Sequence, residues 1–243
     1  MSSLIIKLIA AFSMLIDHMG LILFPDIEIF RIIGRISYPL YAFCIAEGFK
    51  HTRNRIKYFL RIFLLGFFCQ TVYFIVDRSF YQGILIVFSF SIIIMFFTDS
   101  VKKDMGHERS SLILSFDKLS GSALSSIEQS IISWIMLFIS VTAAFIFCDF
   151  LEVDYGFFGI MLPVFTNIFN DRKRRIIMFS AGLLALCIDI AYTQSYPIQF
   201  WALFSIPIVV LYNEKIGKYK LKYFFYFFYP THLALLYAVS MLK

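Results

Sequence analysis

Apolar residues in this chain come in long, nearly unbroken runs, not in the short alternations of half-buried strands or surface helices. Runs of roughly 15 to 21 residues recur from one end to the other, close to the ~20 that cross a bilayer as a helix. Nine can be drawn, at 4–24, 29–49, 58–76, 83–98, 131–148, 155–169, 175–192, 197–211 and 223–241. The fourth, sixth and eighth are short, which predicts little tilt, a locally thinned bilayer or partial re-entry. The pattern therefore predicts an all-α fold, a polytopic transmembrane helix bundle of about nine spans. No cleavable signal peptide is expected, because the first run lacks a small-residue cleavage site and is long enough to span. Residues 1–243 read as a single membrane-embedded domain, and 99–130, rich in Ser, Gly and charge, as a mobile cytoplasmic loop within it.

Composition strengthens this picture. The chain is 60% hydrophobic and 16% charged, with a mean hydropathy of +0.80, whereas a soluble domain is nearer a quarter charged. Thirty-one Phe and fourteen Tyr are too many for a water-soluble core of this size. Runs such as "KYFFYFFY" read as lipid-facing and interfacial packing. Cys44, Cys69, Cys148 and Cys187 lie in or beside apolar runs without CxxC spacing, so they read as small buried hydrophobes.

Charge then orients the spans. "KHTRNRIK" (50–57), "NDRKRR" (170–175) and "NEKIGKYKLK" (213–222) each carry four Lys or Arg. The segment 99–130 also has four, diluted by five acidic residues. "PDIEI" (25–29), "CDFLEVD" (148–154) and "YTQSY" (192–196) have none, and "DRSFYQG" (77–83) has one. Basic loops stay cytoplasmic, so the expected location is the cytoplasmic (inner) membrane, with the N-terminus inside and the C-terminus outside. The net charge of +6 belongs to these loops. It points to membrane lipids and an anionic cofactor as partners, and not to nucleic acid.

Within the runs, polar residues fall mostly in one expected layer. "MLIDHMG" (14–20) sets Asp17 beside His18 late in an outward-going helix. A charge in hydrocarbon costs roughly 2.5–3.5 kcal/mol on insertion scales, so such residues face a bundle interior or a wet cavity. Arg31 and Arg35, four residues apart and on one helix face, come early in the next span, at the same depth. Gln70, Asp189 and Gln199 join that layer, and Asp154 and Tyr155 open the sixth span there. Gathered around one outward-opening cavity, Asp17, Arg31, Arg35 and Asp189 would neutralise one another. Arg31 at a helix end can instead snorkel to the headgroups, and Asp189 can simply end a span. Glu47 and Lys50 lie at the cytoplasmic end of the second span, and His232 follows Pro230 near mid-depth in the ninth. His107 in the loop reads as solvated.

A histidine beside a carboxylate, with arginines near, suits general-base or nucleophilic chemistry. No Gly-rich phosphate loop, HExxH or GxSxG occurs, and no metal site is expected from so few His and Cys.

The stretches "KLIAAFSMLIDHMGLILFP", "FRIIGRISYPLYAFCIAEGFKHTRNRIKYFLR", "DYGFFGIMLPVF" and "QFWALFSIPIVVLYNEKIGKYKLKYFFYFFYPTHLALLY" together resemble the TraX family. That resemblance covers nearly the whole chain in order apart from 99–130, and its joint pattern is DH…GRxxxP…AEGFxxTRN…DYGxxGI…FYPxHL. It implies an integral membrane acyltransferase of the kind that acetylates F-type pilin, with acetyl-CoA as donor and an amine or hydroxyl as acceptor. Carried over by matching residue, it implies His18 as catalytic base or acyl-accepting nucleophile, Asp17 as a residue that orients or ion-pairs within the site, and Arg35 as stabiliser of developing negative charge or holder of the acyl donor. Asp154, Tyr155 and His232 sit in matching motifs without an assigned role; with Arg31 and Asp189 from the polar layer they are the expected substrate-binding residues. Glu47, Lys50, Arg53 and Arg55 would lie at the donor site, where the basic loop after Glu47 would meet the donor phosphates through Lys50, Arg53 and Arg55 by charge-assisted hydrogen bonds. Where a Gly-rich basic turn is expected after the eighth span, "NEKIGKYK" carries Glu214, which counts against a donor-binding role there. The acceptor, whether peptide, glycan, lipid or small molecule, stays open. Two other classes fit the composition: a proton-coupled transporter, with His18, Asp17 and Asp189 as relay, and a non-catalytic assembly factor.

Overall fold

The computed structural model describes residues 1–105, 126–215, 217 and 221–242. Its elements are α1 (Ser3–Ile22), α2 (Glu28–Gly34), α3 (Ser37–His51), α4 (Arg55–Asp77) and α5 (Ile84–Met105). After them come α6 (Ser126–Phe150), α7 (Gly156–Asn167), α8 (Arg172–Thr193), a 3₁₀ helix (Pro197–Phe204), α9 (Ser205–Val210) and α10 (Lys222–Ser240). The protein is all-α and of the polytopic membrane class. Six segments among the described residues are long and apolar enough to span: α1, α2 with α3, α4, α5, α6 and α8. The expected spans at 155–169 and 197–211 are shorter apolar helices, Gly156–Asn167 and Pro197–Val210.

Three boundaries differ from the hydropathy reading, each for a local reason. The run 29–49 is not one helix, because α2 ends at Gly34 and α3 begins at Ser37. Pro39 has no N–H to bond the carbonyl of Arg35, and its ring crowds that carbonyl, so the helix breaks there. The run 197–211 opens on Pro197 as a 3₁₀ helix and becomes α-helical at Ser205. Finally, the expected loop 99–130 is helical at both flanks, since α5 continues to Met105 and α6 starts at Ser126. Ion pairing between Asp99 and Lys102 one turn on, and a hydrogen bond from Ser133 to Asp104, hold charged residues on these helical ends. Residues 106–125, including His107, lie outside the described residues, as do parts of the 213–222 turn.

The chain divides into two compact units, Met1–Gly48 with Asp171–Lys243, and Phe49–Asn170. In the first, α1 packs on α2 and α10, and the 3₁₀ helix packs on α2, α8 and α9. Two glycines set the α1–α2 approach. A Cβ on Gly20 would lie 2.5 Å from Cβ of Phe30, and one on Gly34 would lie 2.1 Å from Oδ1 of Asp17. The Ser37 hydroxyl donates to the Ala10 carbonyl at 2.9 Å and ties the start of α3 to α1. In the second unit α5 packs against α4, α6 and α7. Large apolar side chains such as Phe63, Phe67 and Phe138, on α4 and α6, are exposed, as expected of surfaces that face lipid.

Candidate functional site

The cost of placing Asp17 in an apolar helix is met by two arginines from α2. Arg35 Nη2 donates to Asp17 Oδ1 at 2.6 Å, and Arg31 Nη1 donates to Oδ2 at 2.8 Å. Both carboxylate oxygens are thus engaged by charge-assisted bonds. The helix break at Pro39 leaves Arg35 as the C-cap of α2, and four-residue spacing lets Arg31 reach the same carboxylate. Gly34 keeps the space in which Asp17 sits. Arg35 is further held by Gln199, whose Oε1 accepts from Nη1 at 3.4 Å, and its guanidinium lies over the Tyr196 ring, 5.8 Å from the centroid. Gln199 is fully buried, and its backbone carbonyl accepts from Cys187 Sγ at 3.3 Å.

His18, one position on, turns to α10. Its Nδ1 lies 2.9 Å from Nε2 of His232, with ring centroids 4.9 Å apart. Nδ1 of His232 lies 2.7 Å from the Phe228 carbonyl, and the two rings of Phe228 and His232 stack at 4.9 Å. His232 is buried, whereas His18 is only half-buried. The first unit therefore brings together His18, His232, Asp17, Arg31 and Arg35, with Gln199 behind.

Other expected site residues are placed differently. Asp189 in α8 is half-buried, and its carbonyl accepts from Thr193 Oγ1 at 2.7 Å; its carboxylate takes no part in the Asp17 cluster. Glu47 is not part of an exposed basic loop. It is buried, ion-paired with Arg175 of α8, and accepts from the Tyr212 hydroxyl at 2.8 Å. Phe43 closes this second cluster, edge-on to Tyr212 at 5.4 Å and beneath the Arg175 guanidinium. Burial, and then the neighbouring Glu47 charge, push the Tyr212 hydroxyl pKa above its ordinary value.

Asp154, Tyr155, Lys50, Arg53 and Arg55 belong to the second unit. The Asp154 backbone N–H donates to Gln82 at 2.9 Å beside a lone parallel bridge between Gln82 and Val153. Tyr155 and Gly156 have φ of 61° and 57°, so the Asp-Tyr-Gly motif turns the chain in left-handed backbone to start α7. Lys50 and Arg53 are exposed, but Arg55 lies 2.5 Å from Asp99 and over the Phe49 ring at 4.4 Å. Its charge is already met. Among the described residues no group of three His, Cys, Asp or Glu is placed to hold a metal ion.

An all-helical, multi-span membrane protein with a histidine pair beside an Asp–Arg clamp is the class that this fold and site define. The sequence matches the family described as TraX protein over residues 2–240, and the chain belongs to the TraX family. It is 25% identical over 252 residues to the probable fimbrial assembly protein FimC, serogroup H1, of Dichelobacter nodosus, covering 97% of this chain and 94% of that protein. A protein of Rickettsia prowazekii (strain Madrid E) is 46% identical over 46 residues, 19% of this chain and 18% of its own length. No solved structure matches the chain.

Proposed function

We propose that this protein is an integral membrane acyltransferase that moves an acetyl group from acetyl-CoA to an amine or hydroxyl of an acceptor. The observation that carries this reading is the 2.9 Å contact between His18 and a buried His232, one residue along from a carboxylate already engaged by two arginines. Such a histidine can take the proton of an attacking amine or hydroxyl as the thioester carbonyl is attacked. The carbon–sulfur bond then breaks, and CoA leaves with that proton as the free thiol. Two guanidiniums against the single Asp17 carboxylate leave the clamp one net positive charge for the oxygen that becomes negative in the transition state. Exposed Lys50 and Arg53 offer the positive charge that donor phosphates need. The setting is the inner membrane, with the N-terminus in the cytoplasm and the C-terminus outside. The resemblance to pilin-acetylating proteins, and the name of the Dichelobacter relative, favour the amino group of a pilus subunit as acceptor.

A role in assembly without chemistry is the second reading, and that relative's name alone favours it. Purified protein in lipid nanodiscs, given acetyl-CoA and a pilin N-terminal peptide, separates the two. Acceptor-dependent release of CoA thiol with a matching mass gain on the peptide supports the enzyme. Peptide binding with no thiol release across amine and hydroxyl acceptors would leave the assembly role.

A further inference from the structure

His232 is joined to two groups at once, and that fixes where its proton sits. Nδ1 faces the Phe228 carbonyl at 2.7 Å, and a carbonyl only accepts, so Nδ1 carries the hydrogen. In the neutral ring Nε2 then holds a lone pair, and the atom 2.9 Å away is Nδ1 of His18. His18 must donate across that contact. Its own Nε2 is left with the lone pair.

We infer that His232 is the positioning residue of this site: it holds His18 in the Nδ1–H tautomer and so makes Nε2 the nitrogen that meets an acceptor proton. The adjacent Asp17 carboxylate is directed to Arg35 and Arg31, and the partner of His18 Nδ1 is His232. A second imidazole stands where a carboxylate orients the base in many hydrolases. It also adds a step a carboxylate does not share in the same way. When Nε2 of His18 gains a proton, the Nδ1 hydrogen of His18 can pass to Nε2 of His232. His18 is then neutral with its hydrogen on Nε2, and His232 is the cation, still donating from Nδ1 to Phe228. One proton enters at His18, one crosses to His232, and the positive charge moves with it. Stacking on Phe228 keeps that ring in register.

The tautomer stands on geometry alone, while its effect on turnover rests on the acyl-transfer reading, and two measurements keep these apart. The chain has four histidines, so a His51→Gln, His107→Gln background labelled with ¹⁵N-histidine leaves only this pair for NMR in nanodiscs. Both rings are expected as Nδ1–H tautomers. A hydrogen on Nε2 of neutral His18 would overturn the inference whatever the activity. The second measurement compares His232→Leu with His232→Gln. The Gln oxygen can accept from Nδ1 of His18 and Leu cannot. His232→Leu should lower kcat by roughly 10²-fold with KM little changed, and His232→Gln should restore at least ten-fold of that loss. Equal turnover in the wild type and His232→Leu would overturn the inference. A wild type with the expected tautomers and no acyl transfer would instead sink the acyl-transfer reading alone.

Discussion

Gly34→Ala tests how tightly the Asp17 clamp is built. The backbone at Gly34 is ordinary helix, so the cost of alanine there is space and not conformation. Its Cβ would lie 2.1 Å from Asp17 Oδ1, 2.3 Å from Cβ and 2.5 Å from Cγ, against an ordinary contact of 3.4–4 Å. The carboxylate must therefore retreat by roughly an ångström, or α1 and α2 must part by as much. The contacts at 2.6 and 2.8 Å to Arg35 and Arg31 leave little room for that, and polar contacts stretched past about 3.5 Å no longer count as hydrogen bonds. Overpacking alone costs about 1–3 kcal/mol, and breaking a buried ion pair about 3–5. Asp17 keeps some exposure, so the total is about 3 kcal/mol. For a chain of this length that lowers Tm on the order of 10 °C. Thermal unfolding followed by size-exclusion in matched micelles measures it. Gly20→Ala, whose one clash is with Cβ of Phe30 while Arg31 stands at an ordinary 3.5 Å, should cost no more than the overpacking part. Adding Asp17→Asn to Gly34→Ala should cost at least ~1 kcal/mol less than Asp17→Asn alone. A Gly34→Ala protein that melts with the wild type, or strict additivity with Asp17→Asn, would show that Gly34 does not seat the Asp17 carboxylate.

Further expectations concern the second cluster, the basic segment and the orientation. Arg175→Met strands the buried Glu47 carboxylate and should cost about 3–5 kcal/mol, and Tyr212→Phe about 1–3, with donor affinity unchanged in whatever protein stays folded. Denaturation in micelles with a parallel donor-binding assay checks both, and a harmless Arg175→Met would show that the cluster is not holding α3 to α8. In the basic segment, Lys50→Gln with Arg53→Gln should weaken acetyl-CoA binding by about 1.5–3 kcal/mol for each phosphate bond removed. Arg55→Gln should instead lower stability, because Arg55 is spent on Asp99; a weaker donor affinity from Arg55→Gln alone would contradict this. Cysteine-accessibility labelling should put positions near Arg53 and Arg172 on the cytoplasmic side and those near Asp26, Glu152 and Ser195 outside. Any neighbouring pair on one side would break the orientation.

The long helices are legible in the sequence because a run of about twenty apolar residues has few other uses. So is the Asp17–Arg31–Arg35 group, since buried charges need partners and residues four apart share a helix face. What escapes a sequence reading is long-range or hidden in a stronger signal. His18 and His232 are 214 residues apart, and nothing local pairs them. Arg175 sits in a basic run that reads as a topology signal, which masks its buried bond to Glu47 and groups Glu47 with the wrong charges. What Gly20 and Gly34 do depends on the side chains that face them, which no local signal names. The left-handed turn at the Asp-Tyr-Gly motif is a backbone feature that its residue types do not announce. Continuous hydrophobicity masks the helix break before Pro39, although the proline itself is visible.

His18 is the centre of the proposed chemistry, and one measurement reaches it directly: acceptor-dependent CoA release by purified wild type and His18→Ala, with acetyl-CoA affinity measured on the same samples. The His18→Ala protein is expected to insert, fold and bind donor, and to fall roughly 10²–10⁴-fold in turnover. Turnover within a few-fold of the wild type in a folded His18→Ala protein would contradict the assignment of His18 as the base.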